Sequence, residues 1–307
     1  MEPLEFTFKK SRKLGDLLSD YIQLYKKIFK HFNKSILTIS VPFIGMFLLL
    51  TFYFMAQIFP VLNTTEVLNV SFFISLLIPI TFFSFFFYLI ITTFGMEYMR
   101  LLEKKKTTDF NAKEIFVNIR LNFKKYLAFY FFSILVLLVL MIPLSIVAVI
   151  LMFIPFLGSL AVGVLGSMVS VFFAIALLLY IDDRATLSQS YSLAFKLLKK
   201  RIFEYGLAVY IFQLMIQIIL GLLTLVPMII LFFIAYNTLS FNETFFYTFE
   251  GKLLISIGSV ILALFFILTS IYMVSFMVLS YYSLIEDKFT ETAIESIENI
   301  GHTKDEF

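Results

Sequence analysis

Apolar residues run uncharged through five stretches of this chain: 35–65, 67–96, 126–181, 205–242 and 253–285. A hydrocarbon core about 30 Å thick is crossed by roughly 20 helical residues, so four of these stretches each predict one transmembrane helix. The stretch 126–181 has 56 residues, more helix than one crossing can use. It must therefore fold back. The break is predicted at Ile154-Pro155-Phe156-Leu157-Gly158, where proline stops one helix and glycine permits the turn. The resulting spans are about 36–59, 67–96, 126–153, 159–181, 205–242 and 253–285, with a polar turn at Asn63–Glu66 between the first two. Their continuous apolar character excludes a β-barrel, whose strands alternate every second residue.

Periodicity changes ahead of the first span. Leu14, Leu17, Leu18, Tyr21, Ile22, Tyr25, Ile28, Phe29 and Phe32 recur at helical spacing, with Lys13, Asp16, Asp20, Lys26, Lys27 and Lys30 on the other side. This predicts an amphipathic helix lying along the membrane interface. A second carries Phe110, Ile115, Phe116, Ile119 and Phe123 behind a cap at Asp109; a third carries Tyr191, Ala194, Phe195, Leu198 and Ile202 behind Ser188 or Ser190. The second helix of each hairpin ends alike, in GMEYMR at Gly95, YIDDR at Tyr180 and LIEDK at Leu284, and a last amphipathic stretch covers 290–300. The expected fold is all-α, a polytopic membrane bundle of six transmembrane helices. It forms a single membrane domain of three units, each an amphipathic interfacial helix plus a transmembrane hairpin: 1–96, 97–185 and 186–285, then an acidic cytoplasmic tail at 286–307.

Composition sharpens this picture. Of 307 residues, 61% are hydrophobic, 19% aromatic and 15% charged, outside the range of soluble domains. The net charge of +3 says little, but the distribution of cations says more. Of the 24 Lys and Arg, 23 fall in the termini and the two even-numbered loops, while Lys252 alone lies on the opposite side. By the positive-inside rule both termini are expected in the cytosol, and an even number of crossings requires them to share a side. The charged segment of 34 residues before the first span argues against a cleavable signal.

Little of the sequence offers chemistry. With no Cys and only His31 and His302, disulfides, thiolate nucleophiles and histidine-rich metal centres are not expected, nor is any cofactor. Walker, dinucleotide, GxSxG and HExxH signatures are absent, and the hydrophilic segments are too short for a catalytic domain. Glu97, Asp182, Asp183, Glu286 and Asp287 form a polar group at the cytoplasmic boundary. They either pair with Arg100, Arg184 and Lys288 to fasten helix ends, or line an ion or substrate path; pairing is the leading expectation. No acid, Lys or Arg falls mid-span, which argues against ion-coupled transport. Gln213 and Gln217 lie one turn apart in the fifth span, suited to bonds across helices or to a polar path. Pro42, Pro79, Pro143 and Pro227 interrupt four spans and could border a cavity. Gly163, Ser167, Ser170 and Ala174 form a small-residue stripe in the fourth span, as do Ser256, Ser259, Ala263 and Ser270 in the sixth, for close packing within the bundle or with a partner. Asn63 and Asn242 match a glycosylation acceptor.

The segments FTFKKSRKLGDLLSDYIQLYKKIFKHF, YIDDRATLSQSYSLAFKLLKKRIFEYGL and YYSLIEDKFTETAIESIENIG resemble a bacterial family of six-helix membrane proteins. That family is similar to the membrane domain of glycerophosphoryl diester phosphodiesterases. The resemblance implies a stand-alone membrane module, with no catalytic residue carried over, since nothing here matches the soluble phosphodiesterase part. The expected role is a non-enzymatic scaffold, accessory or regulatory subunit of a membrane complex, with a lipid-handling protein or passive transporter as the alternative. Expected partners are anionic lipid headgroups at the basic helices and other membrane proteins; nucleic acid is not expected.

Overall fold

The computed structural model describes residues 4–54, 56, 70–239 and 248–302. Among them are seven helices and no strand: α1 (Leu14–Tyr53), α2 (Val70–Lys105), α3 (Ala112–Met152), α4 (Leu157–Ile181), α5 (Leu187–Leu198), α6 (Ile202–Leu239) and α7 (Phe249–His302). All but α5 are long and apolar enough to cross a bilayer, so the chain is a multi-pass integral membrane protein with six candidate spans. The turn at 63–66, Asn63 and Asn242 lie outside the described residues.

The reversal inside the longest apolar stretch falls where proline and glycine place it, between Met152 and Leu157. The strained residue is Phe156, at φ 61°, rather than a glycine. Gly158 serves a different need: a Cβ there would stand 1.8 Å from the Leu151 carbonyl oxygen. Its missing side chain lets the new helix start against the end of the old one.

Two expected interfacial helices are not separate elements. The amphipathic stretches of α1 and α3 run straight into their spans as helices of 40 and 41 residues, because no glycine, proline or side-chain cap interrupts the backbone ladder at the joins. Their apolar sides are buried in protein: Leu17, Tyr21, Leu24 and Ile28 on α1, Ile115, Ile119 and Tyr126 on α3. Only the third stretch forms its own helix, α5, ended by the turn at 199–201. The caps also differ from expectation. Asn111, not Asp109, starts α3, exchanging hydrogen bonds with Glu114 at 3.1 and 3.3 Å. Thr186, ahead of Ser188 and Ser190, starts α5, and its N–H donates to the Gln189 side chain at 3.3 Å. In both cases a residue with a partner three positions on satisfies two orphan groups where the alternative satisfies one. The stretch 290–300 likewise continues α7.

Prolines 42, 143 and 227 sit inside α1, α3 and α6 without ending them, so these spans are continuous where broken helices were considered. One missing N–H per site is tolerated because the rest of each helix keeps its ladder in a solvent that offers the backbone no other partner.

The chain divides into two compact units. One takes Met1–Phe29, Thr93–Gln213 and Met273–Phe307; the other takes Lys30–Thr92 and Leu214–Tyr272. In the first unit Phe212 and Phe276 stack at 4.4 Å, with Tyr21 edge-on to both at 4.9 and 5.3 Å. Tyr191 fastens α5 to α3 and α4: it stacks on Phe129 at 5.3 Å, meets Phe132, Phe172 and Phe173, and shares a 2.7 Å hydrogen bond with Ser133. Burial pushes its phenol up to about 12, so it stays neutral. In the second unit Tyr272 packs on Phe32 at 5.6 Å and donates to Asn33 at 2.6 Å, while Phe43 meets Phe87 and Phe52 meets Phe249.

Much apolar surface remains uncovered. No residue in the most apolar stretch of α3 is buried by the protein, and Leu138, Ile142, Ile150 and Phe153 are each about half to four-fifths exposed. A soluble protein would cover such a surface; lipid solvates it without cost.

One position of the small-residue stripe in α4 meets another helix closely. A Cβ on Gly163 would lie 2.3 Å from the Tyr210 ring, and one on Gly206 would lie 2.2 Å from Met168, so α4 and α6 approach through paired glycines. Ser167 and Ala174 are buried on the same stretch, and Ser170 is exposed. Gly163→Ala is expected to lower stability by about 1–3 kcal/mol through overpacking. Gly166→Ala, with nothing within 4 Å of its Cβ, should be neutral or slightly stabilising. Thermal denaturation in detergent compares the two.

Candidate functional site

Polar chemistry gathers at the charged ends of the helices in the first unit, in two networks. The first is built on Glu97, near the end of α2 and 1% exposed. One carboxylate oxygen accepts three hydrogen bonds: from Arg100 at 2.7 Å, the Tyr126 hydroxyl at 2.6 Å and the Asn122 amide at 3.1 Å. Helical spacing places Arg100 one turn beyond Glu97, with Asn122 and Tyr126 one turn apart on the buried side of α3. Arg100 reaches on to Asp182, the residue that ends α4, with Nε at 3.0 Å and Nη2 at 2.8 Å. The other oxygen of Asp182 accepts from the Tyr281 hydroxyl at 2.9 Å. One guanidinium thus joins two carboxylates, and four helices are tied at one level. Asp183, at φ 55°, turns the chain outward and pairs with Lys125 at 2.6 Å.

The second network surrounds the extended segment before α1. Arg12 is 2% exposed and folds its guanidinium back on its own chain, donating to the carbonyls of Phe8 at 2.8 Å, Lys10 at 3.1 Å and Thr7, and to Asp20 at 2.8 Å. The segment is held at further points. Leu4 N–H donates to the Lys106 carbonyl at 2.8 Å, Lys9 pairs with Glu103 at 3.3 Å, and buried Phe8 meets Tyr282 edge-on at 6.0 Å. The Arg12 N–H donates to the Ser283 hydroxyl at 3.0 Å, and its carbonyl accepts from Arg201 at 3.0 Å. Arg201 also holds Glu204, at 2.8 Å, and Asp287; Tyr205 donates to Asp287 at 3.1 Å. Glu204 in turn accepts the Leu14 N–H at 3.2 Å, an acid at the N-terminus of α1 where orphan donors and the helix dipole favour one. The Glu204 hydrogen bonds and the neighbouring anions keep the Arg201 guanidinium protonated well above its ordinary range.

Of the five boundary acids, the structure joins Glu97 and Asp182 through one arginine, places Asp183 beside them on Lys125, and gives Asp287 to the second network. Glu286 is half-buried beside Asp287 on α7. The expected pairing of Arg184 is replaced by Arg100 and Lys125, since the turn at Asp183 leaves Arg184 exposed. Gln213 and Gln217 are half-buried, and neither amide has a hydrogen bond among the described residues. Sequence reasoning missed Arg12, Asn122, Tyr126, Glu204, Tyr205 and Tyr281. Tyr126 and Tyr205 carried a signal, each standing just where a cationic amphipathic stretch becomes a span. Arg12 carried none, being one of several cations in a polar segment.

Compared with protein-family models, curated proteins and solved structures, the chain matches none.

Proposed function

We propose that this multi-pass protein is a non-enzymatic scaffold or accessory subunit of a membrane complex, in a bacterial inner membrane with both termini in the cytosol. The observation that carries this reading is the commitment of the boundary acids to internal bonds. Glu97, Asp182, Asp183 and Asp287 each hold a cation, and three of them hold a phenol as well. A carboxylate fixed in this way braces helices and is poorly placed to exchange protons with a substrate. The phenol-to-acid bonds Tyr126–Glu97 and Tyr205–Asp287 each join the foot of one span to the charged exit of another. On this reading the protein stands among stand-alone modules resembling the phosphodiesterase membrane domain.

Purification from native membranes in mild detergent tests the reading. A stoichiometric protein partner, retained by the Glu97→Gln variant, is the expected result. The open amides of Gln213 and Gln217 favour a second reading, a lipid-handling or passive pathway. Enrichment of one lipid species without a protein partner, abolished by Gln213→Leu/Gln217→Leu, would establish it in place of the first. A reporter fused to the C-terminus should be active only in the cytosol.

A further inference from the structure

From the outward face of α3, we infer that the helix carries a binding site for an anionic phospholipid of the cytosolic leaflet, with Arg120 and Lys124 on the phosphate. At 100° per residue Lys113, Val117, Arg120, Lys124, Phe131, Leu135, Leu138 and Ile142 fall on one stripe. All eight are exposed, and the four apolar ones from Phe131 onward are each more than half exposed. Ile115, Ile119, Tyr126 and Phe129 occupy the opposite, buried side, so packing fixes which face turns outward.

The stripe changes character once. From Phe131 to Phe153 it is apolar, and 22 steps of 1.5 Å cover about 33 Å, a full hydrocarbon core. Lys124 then stands about 10 Å beyond the hydrocarbon edge and Arg120 about 6 Å further, just outside a headgroup layer about 5–8 Å deep, and their long stems reach back toward its phosphates. Ten residues from Phe131 match one acyl layer of about 15 Å. Neighbouring cations are committed elsewhere: Lys105 to Glu114, Lys125 to Asp183 and Arg100 to Glu97 and Asp182. Lys113, Arg120 and Lys124 have no acid partner among the described residues. Leu121, three-quarters exposed, lies between Arg120 and Lys124, an apolar side chain that is costly against water alone. Charge complementarity and continuity with the uncovered span therefore select a lipid over a soluble anion.

The inference rests on the proposed orientation, and two measurements keep the two apart. The full-length protein is placed in nanodiscs of phosphatidylcholine with a minor fraction of phosphatidylglycerol, and lipids retained after extraction are counted by native mass spectrometry. Arg120→Gln/Lys124→Gln should reduce the excess of phosphatidylglycerol about thirtyfold, the change expected for two cations worth about 1 kcal/mol each at 1.4 kcal/mol per tenfold. Lys196→Gln/Lys200→Gln, an equal loss of charge on and just after α5, should leave most of it. Unchanged retention in the first variant, or equal loss in both, overturns the site. Loss of a co-purifying protein with lipid retention intact overturns it too. Orientation is read separately from Lys113→Cys, a unique thiol in this cysteine-free chain. Protection from an impermeant maleimide in intact cells supports the cytosolic leaflet; labelling overturns the orientation and, with it, the assignment to that leaflet.

Discussion

Arg100→Ala is expected to destabilise the protein by about 3–5 kcal/mol, the cost of leaving a buried carboxylate without its cation. Glu97 is 1% exposed and keeps only two neutral donors, Tyr126 and Asn122, once the guanidinium is gone. Asp182 loses both contacts with Arg100 and keeps the Tyr281 hydroxyl. The loss should be strongly non-additive. In Glu97→Gln/Arg100→Met the buried charge and its partner disappear together, and most of the stability should return. Thermal denaturation of the detergent-solubilised protein, completed as a double-mutant cycle, measures the coupling. Equal loss in the single and double variants would show that Arg100 acts through packing and not through charge.

Arg12→Ala is expected to cost a similar ~3–5 kcal/mol, for a different reason. Its guanidinium satisfies three main-chain carbonyls and Asp20 at once, so removing it strands acceptors of a segment that has no helix or strand to hold it. Residues 4–13 should then detach, freeing the backbone beside the already exposed Lys9 and Lys10 for cleavage by trypsin well before the helices are cut. Arg12→Lys should recover only part of the loss, because an ammonium on a single stem cannot cover the fork of positions a guanidinium reaches. Proteolysis time courses of the three proteins give the order. Identical kinetics in Arg12→Ala and the parent would mean that the other ties of the segment, such as Leu4 to Lys106 and Phe8 to Tyr282, suffice.

The spans were legible because lipid imposes a simple rule, an apolar length of about 20 residues closed on its own hydrogen bonds. The reversal at 153–156 was legible for the same reason, since no single crossing can absorb 56 residues. The separateness of the amphipathic helices was not. A cationic amphipathic stretch looks alike whether its apolar side meets lipid or protein, and only the neighbours of Leu17, Leu24 and Ile119 distinguish the cases. The boundary acids were visible as a group, but their partners were not. Arg100 and Asp182 are 82 residues apart, and Arg12 and Ser283 are 271 apart.

By itself, then, the amino-acid order determined the solvent of this protein, the number of its crossings and the ends at which its charges collect. Those are one-dimensional properties, summed along the chain. Which acid meets which cation, that Gly163 receives a tyrosine ring, and that a polar leader is pinned by a buried arginine were decided only when distant helices came together. Burial turns weak surface pairs into obligatory ones, and burial is a property of neighbours in space.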